Sequence, residues 1–225
     1  MKIALAFDIE RSGGTNKHDT IAIGASVLDE DFNELDSLFL PGYVSGETQF
    51  EPRCWEEFWS KNTDVLNIIK YTGNLSYSDR QKEMIEAFQA FRCKWEELCE
   101  SNGHELILVS DNAVYDGGFI NQMIFTHIPD TLPIPYSAKK QKYKPFRETN
   151  SILRGILFVA DPDYTSQFGL SRRIAEIYDV PTPIAKHDHN PANDAYTIAY
   201  DFQVANAIAK GTIVLRKNIS KKQEQ

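Results

Sequence analysis

The stretch Lys2-Ile3-Ala4-Leu5-Ala6-Phe7-Asp8-Ile9-Glu10 sets how the rest of the chain is read. Ile3 to Phe7 form a short unbroken apolar run, the pattern of a strand buried on both faces. Asp8 and Glu10 stand two apart near its end, so both side chains point to the same face. Gly13-Gly14-Thr15-Asn16 breaks the strand. Ile21 to Leu28 reads as a second strand and Leu35 to Leu40 as a third, ended by Pro41-Gly42. The connections have hairpin length, which predicts an antiparallel meander. Glu105 to Val109 is a further buried strand.

Helical spacing fills much of the remainder. Residues 53–70 carry Trp55, Phe58, Trp59, Leu66 and Ile69 on a loose stripe. The span from Ser78 to Gly103 places Met84, Phe88, Phe91, Trp95 and Leu98 on one apolar face. Ser78 with Gln81 has the form of a capping box, and Asn102-Gly103 supplies the stop. A helix starting near Asn112 carries Asp116, weakened by Gly117-Gly118. Residues 129–147 read as a loop rich in proline and lysine, and Leu170 to Tyr178 as a short helix ended by Pro181 and Pro183. The last helix has Asn190 as cap, Pro191 in its first turn, and runs to Gly211. Strands first, then strands alternating with helices, predict an α/β fold: a mixed sheet with helices on its faces. The expected organisation is one domain over 1–211, with an inserted segment at about 44–80 and a basic tail over 212–225.

Hydrophobic content of 42% in 225 residues is ample for a core, which excludes wholesale disorder. The apolar runs are too short to span a bilayer, and the N-terminus lacks the pattern of a secretory signal. Cys54, Cys93 and Cys99 are odd in number and lack metal-ligand spacing, so they read as reduced thiols of an intracellular, cytoplasmic protein. A net charge of −8 argues against broad nonspecific binding to duplex DNA. The basic residues are concentrated, however. Lys139, Lys140, Lys142, Lys144 and Arg147 share one acid-free segment with Tyr136, Tyr143 and Phe146, and a second basic group lies in the tail. The first segment is either a solvated loop or a rim that meets a polyanion and stacks on bases.

Carboxylates gathered in one cleft repel one another unless cations join them. Asp8 and Glu10 offer two oxygen ligands from one strand end, of the type preferred by Mg²⁺ and Mn²⁺. Asp116 follows the strand ending at Val109, with Asn112 and Tyr115 beside it at a strand's carboxyl end, where open sheets bind ligands. His189 and Asp194 bracket a helix start, whose exposed N–H groups suit an anionic ligand. His187 and Asp188 read as exposed loop residues. If these groups converge, two cations about 4 Å apart could clamp a phosphodiester. His189 could then take a proton from water, since imidazole titrates near neutral pH.

In this combination the chain resembles the DEDDh 3′→5′ exonucleases of the RNase H-like superfamily, which include the proofreading subunit of bacterial DNA polymerase III, ribonuclease T and oligoribonuclease. Phe7-Asp8-Ile9-Glu10 matches the family's Asp-x-Glu strand, and Ile21-Ala22-Ile23-Gly24-Ala25 resembles its usual second strand. Asp111-Asn112-Ala113-Val114-Tyr115-Asp116 stands where the family has His-Asn-x-x-Phe-Asp, and His189 through Ala195 matches His-x4-Asp-Ala. The resemblance covers roughly residues 2–205. It implies an RNase H-like sheet, with the first three strands antiparallel and the later ones parallel. It also implies two Mg²⁺ or Mn²⁺ ions held by Asp8, Glu10, Asp116 and Asp194, His189 as general base, and release of nucleoside 5′-monophosphates from single-stranded DNA or RNA. Arg11, Asn112, Tyr115, Lys139, Lys140, Lys142 and Lys144 are the candidate substrate contacts. A polymerase or replication partner and a homo-oligomer are further expectations. Arg11-Ser12 departs from the family's Thr-Thr or Thr-Gly, Asp111 replaces a common His, and the 44–80 segment either covers the cleft, sets substrate choice, or places its two Trp residues in the core. The alternatives are a nuclease-fold module that binds nucleic acid or a polymerase without cutting, and hydrolysis of a small phosphodiester rather than a polymer, which the net charge of −8 permits.

Overall fold

The computed structural model describes residues 1–15, 17–46, 49–138, 142–180 and 188–216. Lys139, Lys140, His187 and the tail from residue 217 lie outside the described residues. Five strands form one mixed sheet: β1 (Lys2–Arg11), β2 (Thr20–Leu28), β3 (Glu34–Pro41), β4 (Glu105–Ser110) and β5 (Phe146–Glu148), in the order β3-β2-β1-β4-β5. β1 pairs antiparallel with β2, and β2 with β3. β4 pairs parallel with β1 and with β5. The antiparallel meander is therefore as the sequence predicts, and the later parallel strands are as the resemblance implies.

The alternation within β1 divides the molecule into two layers. Ile3, Leu5, Phe7 and Ile9 face one side, where they pack against Met84, Ile85 and Phe88 of α3 (Tyr77–Ser101) and Ile120 and Ile124 of α4 (Ala113–His127). Ala4 and Ala6 face the other side, against α5 (Thr149–Ala160), α6 (Leu170–Ile177) and α7 (Pro191–Lys210). The small residues on that face let α7 lie close to the sheet. The tightest approach is at Gly24, where a Cβ would stand 2.0 Å from the Pro191 carbonyl carbon. Gly117 answers the same need in α4, since a Cβ there would stand 2.8 Å from the Phe146 ring. Its helix cost is the price of seating Phe146 against Phe7, with ring centroids 5.6 Å apart.

Four sequence expectations change. α3 is capped by Ser76, whose hydroxyl accepts from the Asp79 N–H, so the cap lies two residues before Ser78. Gln81 is buried and donates to the Thr20 carbonyl instead of closing a box. The helix over 53–70 is broken into α1 (Pro52–Glu57), a 3₁₀ turn (Trp59–Lys61) and α2 (Thr63–Ile69). The break falls at Phe58, next to Trp59, whose ring is buried with Phe50, Leu66 and Ile69 and whose Nε1–H donates to the Arg11 carbonyl at 3.0 Å. Tertiary anchoring thus overrides the helical stripe. The loop over 129–147 ends in β5, and α5 follows directly. α5 buries Leu153 and Leu157 but leaves Phe158 and Val159 exposed, which blurs its apolar face. No helix among the described residues is long and apolar enough to cross a membrane.

Candidate metal centre

β1 runs past β4 and carries Asp8 and Glu10 beyond the last paired residues, Ala6 and Val109. Both acids have the parity of Ala4 and Ala6, the face that α7 covers. Asp194 enters from the first turn of α7 and is fully buried. Three local signals place it. Asn190 caps the helix by accepting from the Ala192 N–H at 3.1 Å, Pro191 fills the first turn, and Gly24 admits the helix end to the sheet. Asp116 comes from the first turn of α4, capped by Asn112. Ser110, fully buried at the end of β4, donates to Asp116 Oδ2 and accepts from the Asn112 N–H.

These groups converge. Ligand atoms of Glu10, His189 and Asp194 lie within 4.8 Å of one another, and so do those of Asp8, Asp111 and Asp116. The two sets adjoin, since Asp8 feels the charges of Glu10, Asp116, Asp111 and Asp194. Burial, first, and then those four neighbours push the Asp8 carboxyl well above the usual carboxylate range. Asp116 is also pushed well up, chiefly by burial, with the Ser110 hydrogen bond opposing and Asp111 reinforcing the shift. Asp8 is 8% exposed, and no hydrogen bond reaches its carboxylate among the described residues. A buried acid without a donor is costly. A divalent cation would supply the missing partner, so the donor set could hold Mg²⁺ or Mn²⁺.

His189 is held in a backbone conformation unusual for a residue with a side chain, φ 61°. Asp194 stabilises it. Its Oδ2 accepts from the His189 N–H at 3.0 Å and its Oδ1 from the Asp188 N–H at 3.1 Å. The turn directs Nδ1 to 3.7 Å from Glu10 Oε1. The Phe58 ring stands edge-to-face with the imidazole, centroids 4.4 Å apart. The 44–80 segment is thus both core, through Trp59, and a wall of the site, through Phe58. Asp188 is exposed, as expected, and its carboxylate accepts from the Asn190 N–H and the Asn193 amide.

The candidate substrate contacts separate. Tyr115 is half-buried beside Glu10, Asp116 and Arg11, with its ring on Phe119. Asn112 is exposed and serves as the cap. Arg11 turns to the other face. It is 5% exposed, its guanidinium lies over Phe119, and it donates to the Thr15 and His18 carbonyls, which fixes the β1–β2 loop. Burial lowers its pKa to about 10, which leaves it charged at neutral pH. Lys142 and Lys144 line a cavity of about 300 Å³ with Glu96, Glu97, Glu100 and His104, at the amino end of β4. The acidic pocket lies at the other end of that strand, roughly 20 Å away at ~3.3 Å per residue. Ser110, Asp111 and Phe58 are the residues that sequence reasoning does not place in the site. Asp111 stood in the motif, but only as a replacement for His. Phe58 carries no local signal.

No protein-family model matches the chain, and no curated protein matches it.

Proposed function

We propose that this chain is a metal-dependent 3′→5′ exonuclease with an RNase H-like architecture, acting on single-stranded DNA or RNA and releasing nucleoside 5′-monophosphates. The observation that carries the proposal is the meeting of Asp8, Glu10, Asp116, His189 and Asp194, from three elements far apart in sequence, in one pocket. The strand order and directions are compatible with it. Asp8, Glu10, Asp116 and Asp194 would hold the cations. Bound there, divalent ions activate water as a nucleophile and neutralise charge on the phosphodiester. His189 accepts the proton of the attacking water. Its ring is fixed for that role by the Asp194 hydrogen bond to its backbone and by Phe58. The amino ends of α4 and α7 face the same pocket and favour the approach of a phosphate.

The test is an activity panel on 5′-labelled single-stranded DNA, RNA and short duplexes with Mg²⁺ or Mn²⁺. Shortening from the 3′ end is expected, abolished by Asp8→Ala and reduced by about 10²–10⁴-fold in His189→Ala. Intact oligomers in the presence of folded, metal-bound protein would instead indicate a nuclease fold that binds without cutting.

A further inference from the structure

We infer that Asp111 is a metal ligand, and that it divides the pocket into two cation positions. One is formed by Asp8, Asp111 and Asp116, and the other by Glu10 and Asp194 with His189 beside them. This rests on reading the pocket as the metal centre of the proposed nuclease. It goes further by giving one cation a ligand that the four-carboxylate set does not contain.

Three observations carry it. The β1–β4 ladder runs in parallel register from Lys2 opposite Glu105 to Ala6 opposite Val109. Continued by two residues, that register sets position 111 level with Asp8. The ligand atoms of Asp8, Asp111 and Asp116 do lie within 4.8 Å of one another. Next, Asp116 gives one oxygen to Ser110, and its carboxylate lies against Asp111. Two acids in contact are held together by a shared proton or by a cation. Last, Asp8 is more than nine-tenths buried, is aimed at both of them, and receives no hydrogen bond among the described residues. Asp111 itself is half-buried, so a hydrated ion can reach it from solvent. Three carboxylates with water completing the shell suit a hard six-coordinate cation.

The test is a Mn²⁺ titration of the metal-free full chain, followed by loss of the electron paramagnetic resonance signal of free aqueous Mn²⁺. Wild type takes up two equivalents. Asp111→Asn keeps one at wild-type affinity and binds the other at least about tenfold more weakly. Glu10→Gln spares the equivalent that Asp111→Asn loses. In chelator, Asp111→Asn melts no lower than wild type, because a like-charge contact is relieved. If that variant does not fold, Asp111→Ser serves in its place. The inference is overturned if wild type binds fewer than two ions, if Asp111→Asn retains both within about twofold, or if it loses both together. Oligonucleotides left intact by protein carrying both ions would defeat the exonuclease reading and leave the ligand assignment standing.

Discussion

Buried charge in this protein falls into two kinds. Arg92 is fully buried, yet its Nε–H donates to the carboxylate of Glu96 at 3.2 Å and a second nitrogen donates to the Tyr136 carbonyl, so an opposite charge stands beside it even though Nη1 has no partner among the described residues. Asp8 is buried among acids and has no donor among the described residues. That contrast makes the second kind a functional signature, because a packing role would have supplied a partner. Asp201 of α7 lies between the two. Burial raises its carboxyl from the usual 3.8 to about 7, although Ser171 donates to it. A raised acid favours the fold in its neutral form. The penalty is therefore absent below about pH 4, grows as pH rises toward 7, and is constant above that. Asp201→Asn should stabilise the protein by on the order of 2–4 kcal/mol at pH 8, with the gain vanishing near pH 4. Thermal melts of both proteins across pH 4–8 check this. A gain that does not change with pH would contradict it.

At the scale of elements, β1 and α7 build the site, and Gly24 sets the distance between them. Gly24→Ala places a methyl against the Pro191 backbone. Because backbone cannot rotate out of the way, the expected cost is about 1–3 kcal/mol. The amino end of α7 also shifts, carrying Asp194 and His189 with it. The proposed nuclease activity should then fall more than the melting temperature alone explains, measured well below the melting transition. Full activity in folded Gly24→Ala would show that the approach of α7 does not position the site. These two elements were legible in the sequence because their signals are local: an apolar run closed by acids, and Asn190-Pro191 before a long helix ending at Gly211. The 53–70 region misled because Trp59 is fixed by a hydrogen bond to Arg11, 48 residues away in sequence. α5 carries no clear apolar stripe in the sequence because two of its large apolar residues, Phe158 and Val159, face outward.

At the scale of the molecule, the site exists only through topology. The parallel β1–β4 pairing brings Asp8 beside Asp111 and Asp116, more than a hundred residues later, and α7 returns across the sheet to add His189 and Asp194. The five motif residues could be named from sequence because each stands at the end of an element. Asp111 could not be given a role, since its proximity to Asp8 depends on strand register. Lys142 and Lys144 looked like part of a substrate rim by charge alone, yet the fold sets them among glutamates at the opposite end of β4. The most direct measurement of the shared pocket is anomalous diffraction from crystals of the protein soaked in Mn²⁺. Two peaks are expected between the ends of β1, α4 and α7, within coordination distance of the Asp8, Glu10, Asp111, Asp116 and Asp194 carboxylates. No peak there, with these carboxylates directed apart, would contradict a metal centre in this protein.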